Sequence, residues 1–389
     1  MATTDNPQAY LDAVRSVLPS IRGRAREAED LGRMPEATVR ELDEIGVFRG
    51  LQPRRWDGLE LDPKTFFESI MLIGSACGSA GWVAGVVGVH PWEVALLPDQ
   101  AQREIWGENP RTRLSSSYAP TGQVRRVEGG FVLSGCWRFS SGVDLCDWAI
   151  LGGVPEGEGE PETRAFVVSR ADFTVDQESW QVAGLRGTGS KSVQVEDAFV
   201  PDYRCHRLAD AARGLNPGCE LNDGPLYRLP WLNGIFSSGI AAPAIGAATG
   251  ALESYIEQNR TRVGAYGGPP VAENPAVHRR LANALAEVDG ERIRMRATWD
   301  DFLAIATSGR RVPLEAELRH RYDTAHAMTK SLAAVLDVFA IAGGSAMLVT
   351  NPLQRFLRDL LAMRNHPMGA LEQTATRYAR VKLGLPANG

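Results

Sequence analysis

Apolar positions in this chain repeat with one period, then a second, then the first again. Up to about Trp106 they recur at three- and four-residue steps, which predicts helices over 8–30 and 35–49. The second opens at Pro35 and carries Val39, Leu42, Ile45 and Val47 on one side. A third helix is expected from Pro63 to about Ser75, and a fourth, SAGWVAGVVGVH, from Ser79 to His90. The small residues of that fourth segment let another backbone approach closely or leave space for a ligand. Between Arg111 and about Arg204 the period falls to two. Short runs (Leu114–Tyr118, Gln123–Val127, Phe131–Cys136, Trp148–Leu151, Ala165–Ser169, Ser192–Val195) alternate with Gly, Pro and acidic turns, among them PEGEGEPE over 155–162. Strands so spaced, with no helices between them, predict a small antiparallel barrel or sandwich. After Pro230 the helical period returns over 239–262, 315–342 and 352–383, and along Val277, Leu281, Leu285, Val288, Met295, Trp299 and Phe302. Four long helices with short connections make a bundle. The expected division is 1–110 helical, 111–208 β and 225–389 a four-helix bundle, a mainly α protein with a β domain in its middle.

Length and charge narrow the function. The chain has 389 residues, 44% hydrophobic and 23% charged, with net charge -5. That suits a soluble globular protein and gives no basic surface for a nucleic-acid or anionic-membrane partner. Five cysteines without a CxxC pair and an N-terminus unlike a signal peptide point to a reducing, cytoplasmic setting. No run of about 18 apolar residues stands out for a membrane span. The longest candidate, Ala333 to Leu348, is interrupted by Asp337 and by Gly343, Gly344 and Ser345. Six histidines show no HxxxH or HxH spacing, so no metal site is expected.

Two stretches carry candidate chemistry. In Gly129–Ile150 an alternating run ends in Trp137-Arg-Phe139-Ser140-Ser141-Gly142. Rings and small hydroxyls at a strand end can line a flat heterocycle; an ordinary hairpin with a ring in its core has the same look. GLRGTGSKS (184–192) nearly spells a phosphate-binding loop. One extra residue separates Gly189 from Lys191, and a strand-like VQVEDAFV follows where a helix N-terminus is needed. No GxGxxG lies between a strand and a helix, so nothing here binds a nicotinamide dinucleotide in the usual way.

The order helices, β domain, bundle resembles the acyl-CoA dehydrogenase fold, and several strings fall where that family has them. They are Trp180-Gln-Val-Ala-Gly184-Leu-Arg-Gly-Thr-Gly-Ser190 leading to Phe199-Val-Pro201, Asn259-Arg-Thr-Arg262, Ala342-Gly343-Gly344-Ser345, and Pro352-Leu-Gln-Arg355-Phe-Leu-Arg358-Asp359. The dehydrogenases keep a catalytic glutamate in the loop after the Arg-Asp pair. Here that loop reads Met363-Arg-Asn-His366-Pro-Met-Gly369, with no carboxylate before Glu372. Together with Gly88-Val-His90-Pro-Trp92 and Leu114-Ser-Ser-Ser-Tyr118, this resembles the two-component flavin monooxygenases of the same fold, such as the p-hydroxyphenylacetate and steroid-phenol hydroxylases and antibiotic-pathway oxygenases.

That resemblance implies an oxygenase component that receives reduced flavin from a separate NAD(P)H:flavin reductase. It would use O2 through a C4a-hydroperoxyflavin to hydroxylate a small phenolic, polycyclic or indole-type substrate. Reduced FAD is favoured over reduced FMN, and a homotetramer is implied. Ser141 is expected to donate toward flavin N5, with Ser140 as its stand-in, and Trp137, Phe139, Gly142, Arg262, Gly343, Gly344 and Arg358 to hold the cofactor. His90 and His366 are the candidate bases, the alternative for His90 being a cap on its helix's carbonyls. Ser116 is expected to hold the substrate oxygen or to position His90, with Ser115 and Ser117 as rivals of opposite strand parity. Trp92, Trp231 and Phe236 are expected to wall the substrate, though core packing explains them too. His278, His320 and His326 are expected in solvent. Acyl-CoA oxidation, N-oxygenation of an amine or amino sugar, and a non-catalytic flavin-binding role stay open.

Overall fold

A computed structural model describes residues 6–157, 162–264 and 268–388. Six helices open the chain: α1 (Pro7–Gly23), α2 (Ala25–Leu31), α3 (Glu36–Ile45), α4 (Pro63–Ala76), α5 (Gly78–Val94) and α6 (Asp99–Trp106). The stretch expected as one helix over 8–30 is two, meeting at Arg24, and Gly32 in the left-handed conformation ends the second. Helix α5 does not stop at His90. It takes Pro91 into its interior and runs on through Glu93 to Val94, all of it buried. Pro91 has no N–H to give the carbonyl of Val87, a loss that the surrounding packing sustains.

The β domain contains β1 (Leu114–Ser117), β2 (Gln123–Val127), β3 (Gly130–Ser140), β4 (Trp148–Gly153), β5 (Arg164–Ser169), β6 (Phe173–Asp176), β7 (Lys191–Pro201) and β8 (Cys205–Arg207). They form two four-stranded sheets, ordered β1-β4-β5-β8 and β2-β3-β7-β6. All pairs are antiparallel except β1 and β4, which run parallel with Leu114 opposite Trp148. The β2–β3 hairpin belongs to the other sheet, so the chain returns beside β1 travelling the same way. Gly129–Ile150 is therefore not a hairpin: β3 pairs with β2 and β7, and β4 lies in the opposite sheet. The inward parity of β3 (Phe131, Leu133, Trp137) meets Phe166, Val168, Val193 and Val195 in the core between the sheets. Residues 158–161 of the acidic stretch lie outside the described residues.

After α7 (Leu208–Arg213) and α8 (Gly218–Leu221), a π-helical turn over Trp231–Phe236 leads into α9 (Ser237–Asn259). The bundle continues with α10 (Pro275–Thr307), α11 (Leu314–Phe339), α12 (Pro352–Arg364) and α13 (Leu371–Lys382). The expected helix over 352–383 breaks in two because His366-Pro367 begins a 3-10 turn that ends at Gly369. Among the described residues, Trp231–Asn259 is long and apolar enough to cross a membrane by length and composition, but 94% of its apolar window is buried inside the molecule. Ser237, Ser238, Gly239 and Pro243 break up its apolar run, which is why Ala333–Leu348 reads as the longer candidate.

Small residues let three helices cross at backbone distance. A Cβ on Gly74 of α4 would stand 3.0 Å from the carbonyl of Pro243 in α9. One on Gly85 of α5 would collide with the carbonyl of Gly239, and one on Gly246 with that of Met71. The Gly/Ala segment of α5 serves close approach, and it fixes the face on which His90 and Glu93 lie.

Candidate active site

Two polar clusters are built where the β domain meets the helices. The first forms as β3 ends. Its register with β7 shifts between Trp137 and Ser140, and Phe139 adopts φ +65°. The shift turns Phe139 out, 59% exposed, and Ser140 in. The strand keeps Trp137 on its inward face, sealed in the β core with its indole N–H on the Gly152 carbonyl at 2.7 Å. Trp137 does not line a cofactor, contrary to expectation, because β3 continues four residues past Cys136. Ser140 is no stand-in for Ser141: it is fully buried and donates to Ser115 Oγ at 3.0 Å.

Ser141 follows, and Gly142 turns the chain at φ +71° while its N–H bonds the Thr188 carbonyl at 2.9 Å. The loop over 184–190 is pinned from behind. Asp359 Oδ1 accepts the Leu185 N–H at 2.6 Å, and the carbonyl of Arg358 leaves no room for a Cβ on Gly184. The hydroxyls then form a directed relay. Thr188 Oγ1 donates to the Leu185 carbonyl at 2.8 Å, so its 2.7 Å contact with Ser190 uses Ser190's proton. The 2.7 Å contact between Ser190 and Ser141 therefore uses Ser141's proton, and Trp82 Nε1 donates to Ser141 at 3.0 Å. His366, from the break between α12 and α13, stands edge-on to Trp82 with ring centres 5.5 Å apart. Its Nδ1 accepts the Met368 N–H at 3.1 Å, so the neutral ring carries its proton on Nε2. Burial, aided by Arg321, lowers it to about 4. Phe139 and Trp180, 6.2 Å apart, border the cluster with ring surface. Donors, hydroxyls and an open ring face fit the polar edge of a flavin.

The second cluster surrounds His90, whose ring is fully buried with neither nitrogen hydrogen-bonded among the described residues. Capping of helix carbonyls is excluded by the continuation of α5. Burial lowers the ring to about 4 against the upward pull of Glu93. Tyr118 faces His90 at 6.4 Å and donates to Glu93 Oε2. Ser116 shares Tyr118's parity, whereas Ser115 is tied to Ser140 and Ser117 to the Arg138 carbonyl at 2.7 Å. Aromatic contacts extend the wall: Phe236 meets Tyr118 edge-on at 5.3 Å and Trp231 at 5.4 Å, and Trp231 stacks on Trp92 at 5.4 Å. A cavity of about 250 Å³ opens beside Trp92, Tyr227, Pro230 and Val312.

The other expected residues lie elsewhere. Arg262 bonds Asn259 Oδ1 at 3.3 Å and the Ala342 carbonyl, against Gly343 at φ +75° and next to exposed Gly344. This makes a separate site in the bundle, where an arginine fork beside bare backbone suits a phosphate. Arg358 is engaged within the chain. Its three nitrogens engage Gln354 at 2.8 Å, Glu29 at 2.6 Å and the Ala183 carbonyl, clamping α12 to α2 and the 184–190 loop. His320, expected in solvent, is 1% exposed and bonded to Ser238 at 2.8 Å. Trp82, Thr188, Ser190, Glu93 and His206 complete the two clusters without a motif of their own in the sequence. Thr188 and Ser190 fall within the Trp180–Ser190 string that carries the resemblance.

The family Acyl-CoA dehydrogenase, C-terminal domain, matches residues 238–369. The oxygenase subunit HsaA, a flavin-dependent monooxygenase of Rhodococcus jostii (strain RHA1), is 39% identical over 373 residues, 95% of this chain and 97% of that protein. The oxygenase component of a FADH(2)-dependent resorcinol hydroxylase from Rhizobium sp. (strain MTP-10005) is 33% identical over 97% of this chain and 94% of its own length. The crystal structure of the HsaA monooxygenase from M. tuberculosis superposes with a TM-score of 0.93 at 37% identity, covering 98% of this chain and all of that one.

Proposed function

This chain belongs to the oxygenase subunits of two-component flavin-dependent monooxygenases of the acyl-CoA dehydrogenase fold, and on that premise we propose that it hydroxylates a phenolic ring with His90 as proton acceptor and Ser141 at the flavin edge. Bound reduced flavin supplies the activation of O2, one oxygen atom going to the substrate carbon and the other leaving as water. The chain's own residues orient the ring, hold the flavin edge and move the phenolic proton. The observation that carries this reading is His90: a buried imidazole whose two nitrogens have no hydrogen-bond partner among the described residues, faced by Tyr118 at one end of the aromatic wall of Phe236, Trp231 and Trp92. His366 is oriented to donate through Nε2, which suits a positioning group rather than a base.

Reduced FAD is favoured over reduced FMN by the Arg262–Gly343 site, which suits a second phosphate, and by the FADH(2)-dependent Rhizobium relative. A separate NAD(P)H:flavin reductase regenerates it. The exposed side chains of Met347, Leu348 and Val349, next to Gly343-Gly344, support a homotetramer in which this site meets a neighbouring subunit, a point that sedimentation checks. Acyl-CoA oxidation lacks its base: Met363–Gly369 holds no carboxylate, and Glu372 is exposed on α13. The test is His90→Asn. Supplied with reduced FAD and O2, its hydroxylation should fall by about 10²–10⁴-fold while oxygen uptake continues into hydrogen peroxide, with partial recovery at high pH. Wild-type rate and coupling in both His90→Asn and His366→Asn would point instead to an amine or indole substrate.

A further inference from the structure

Glu93 is the hub of the His90 cluster and has no part in the reading above. It lies three residues after His90 on α5 and is 1% exposed. Its Oε1 meets Nε2 of His206 on β8 at 2.8 Å. Its Oε2 accepts the Tyr118 hydroxyl and stands 3.9 Å from Nδ1 of His90. A carboxylate taken out of water is costly unless it is bonded and charge-matched, and a leucine would fill the same space at no such cost. The placement makes chemical sense if positive charge arises beside it during turnover.

We infer that Glu93 is a positioning residue: its Oε2 stabilises the imidazolium that forms when His90 takes the substrate's hydroxyl proton, and Tyr118 and His206 set how much of that carboxylate is free to do so. This rests on the role of His90 proposed above. In the step, the substrate O–H bond breaks, the proton joins Nε2 of His90, and the electron pair stays on the substrate oxygen. The ring's new charge then faces Glu93 through Nδ1. The groups facing His90 are Glu93 from its own helix and Tyr118 just after β1, with His206 one bond further out. Burial lowers His90 to about 4 even with Glu93 pulling upward, so without Glu93 the ring would be a poorer acceptor still. An opposite charge within about 4–6 Å changes proton affinity by about one to three pKa units, roughly tenfold to a thousandfold.

The experiment uses the flavin-free protein and 4-nitrophenol, whose ionised form is coloured, titrated with pH while bound. Glu93→Gln keeps the shape and should move the onset of colour up by about one pH unit or more. Tyr118→Phe should move it down, because Oε2, no longer shared with the hydroxyl, can close on His90. A purely structural Glu93 predicts shifts of the same sign, or none, in the two variants, and that overturns the inference. If Glu93→Gln fails to fold, Tyr118→Phe decides alone: a downward shift supports the inference, and no shift or an upward one overturns it. If His90→Asn abolishes the bound-state titration but Glu93→Gln leaves it unchanged, the inference fails and the role of His90 stands. If His90→Asn titrates like wild type, both fail.

Discussion

One proton on Ser141 decides what a flavin edge at the proposed site would receive. In the relay from Trp82 through Ser141 and Ser190 to Thr188, that proton is spent on Ser190. For Ser141 to donate to a flavin nitrogen its hydroxyl must turn away from Ser190, and Ser190 is then the residue that competes. Ser141→Ala should therefore leave flavin affinity nearly intact while peroxide leak rises roughly tenfold to a hundredfold, the effect of losing a hydrogen bond of about 1–3 kcal/mol. Ser190→Ala should do the reverse and lower the leak, because the competing acceptor is gone; peroxide released per O2 consumed measures both. His90, His366 and Ser141, picked out by residue type, fall in the two polar clusters of the structure. Ser140 is misread because a register shift between Trp137 and Ser140 changes which residues face inward, and no alternation pattern shows where a bulge falls; Trp137 is misread because β3 runs on past Cys136 and keeps it in the sheet core. Glu93 and His206 escape notice for another reason. A single Glu at the end of an apolar helix and a single His in a short strand reveal nothing until the fold sets them 2.8 Å apart.

Helix α5 carries His90 and Glu93, and its position is set by glycine contacts. Adding a methyl at Gly85 drives it into the Gly239 carbonyl, and at Gly246 into the Met71 carbonyl. Gly85→Ala and Gly246→Ala should each destabilise the protein by about 1–3 kcal/mol, seen as a lower urea midpoint. Gly85→Ala should also disturb hydroxylation more than Gly246→Ala, since only Gly85 lies on the helix of His90. The period change along the chain marks the three regions well, because long amphipathic helices and alternating strands each impose their own spacing. Breaks inside a period are harder to see. Pro91 is absorbed into α5, whereas His366-Pro367 ends α12, and neighbouring packing rather than the proline itself decides between the two.

Across the whole molecule, buried titratable groups couple stability to pH. His90, His320 and His366 are held near 4, 3 and 4 against an ordinary 6.5, chiefly by burial. As pH falls below about 6.5 the unfolded chain takes up protons that the folded one refuses, so their contribution is complete above that pH and is lost toward 4. Asp359, raised by burial from 3.8 to about 7, acts the other way: its contribution is present below about 4 and is lost as pH rises through 7. Each pKa unit is worth about 1.4 kcal/mol, and three histidines outweigh one aspartate between pH 6.5 and 4. The melting temperature should therefore drop steadily over that range, and more steeply in Asp359→Asn, where the opposing contribution is removed. A proline inside a helix costs about 3 kcal/mol, and Pro91 sits directly after His90 in α5. Selection for heat resistance alone would thus be drawn to Pro91→Ala, which restores the bond to the Val87 carbonyl. The same change removes the clash by which a proline disfavours helical backbone at the residue before it, here His90 within α5. Pro91→Ala should therefore raise the melting temperature, and a fall in hydroxylation in the same variant would show that the strained backbone at His90 serves the site.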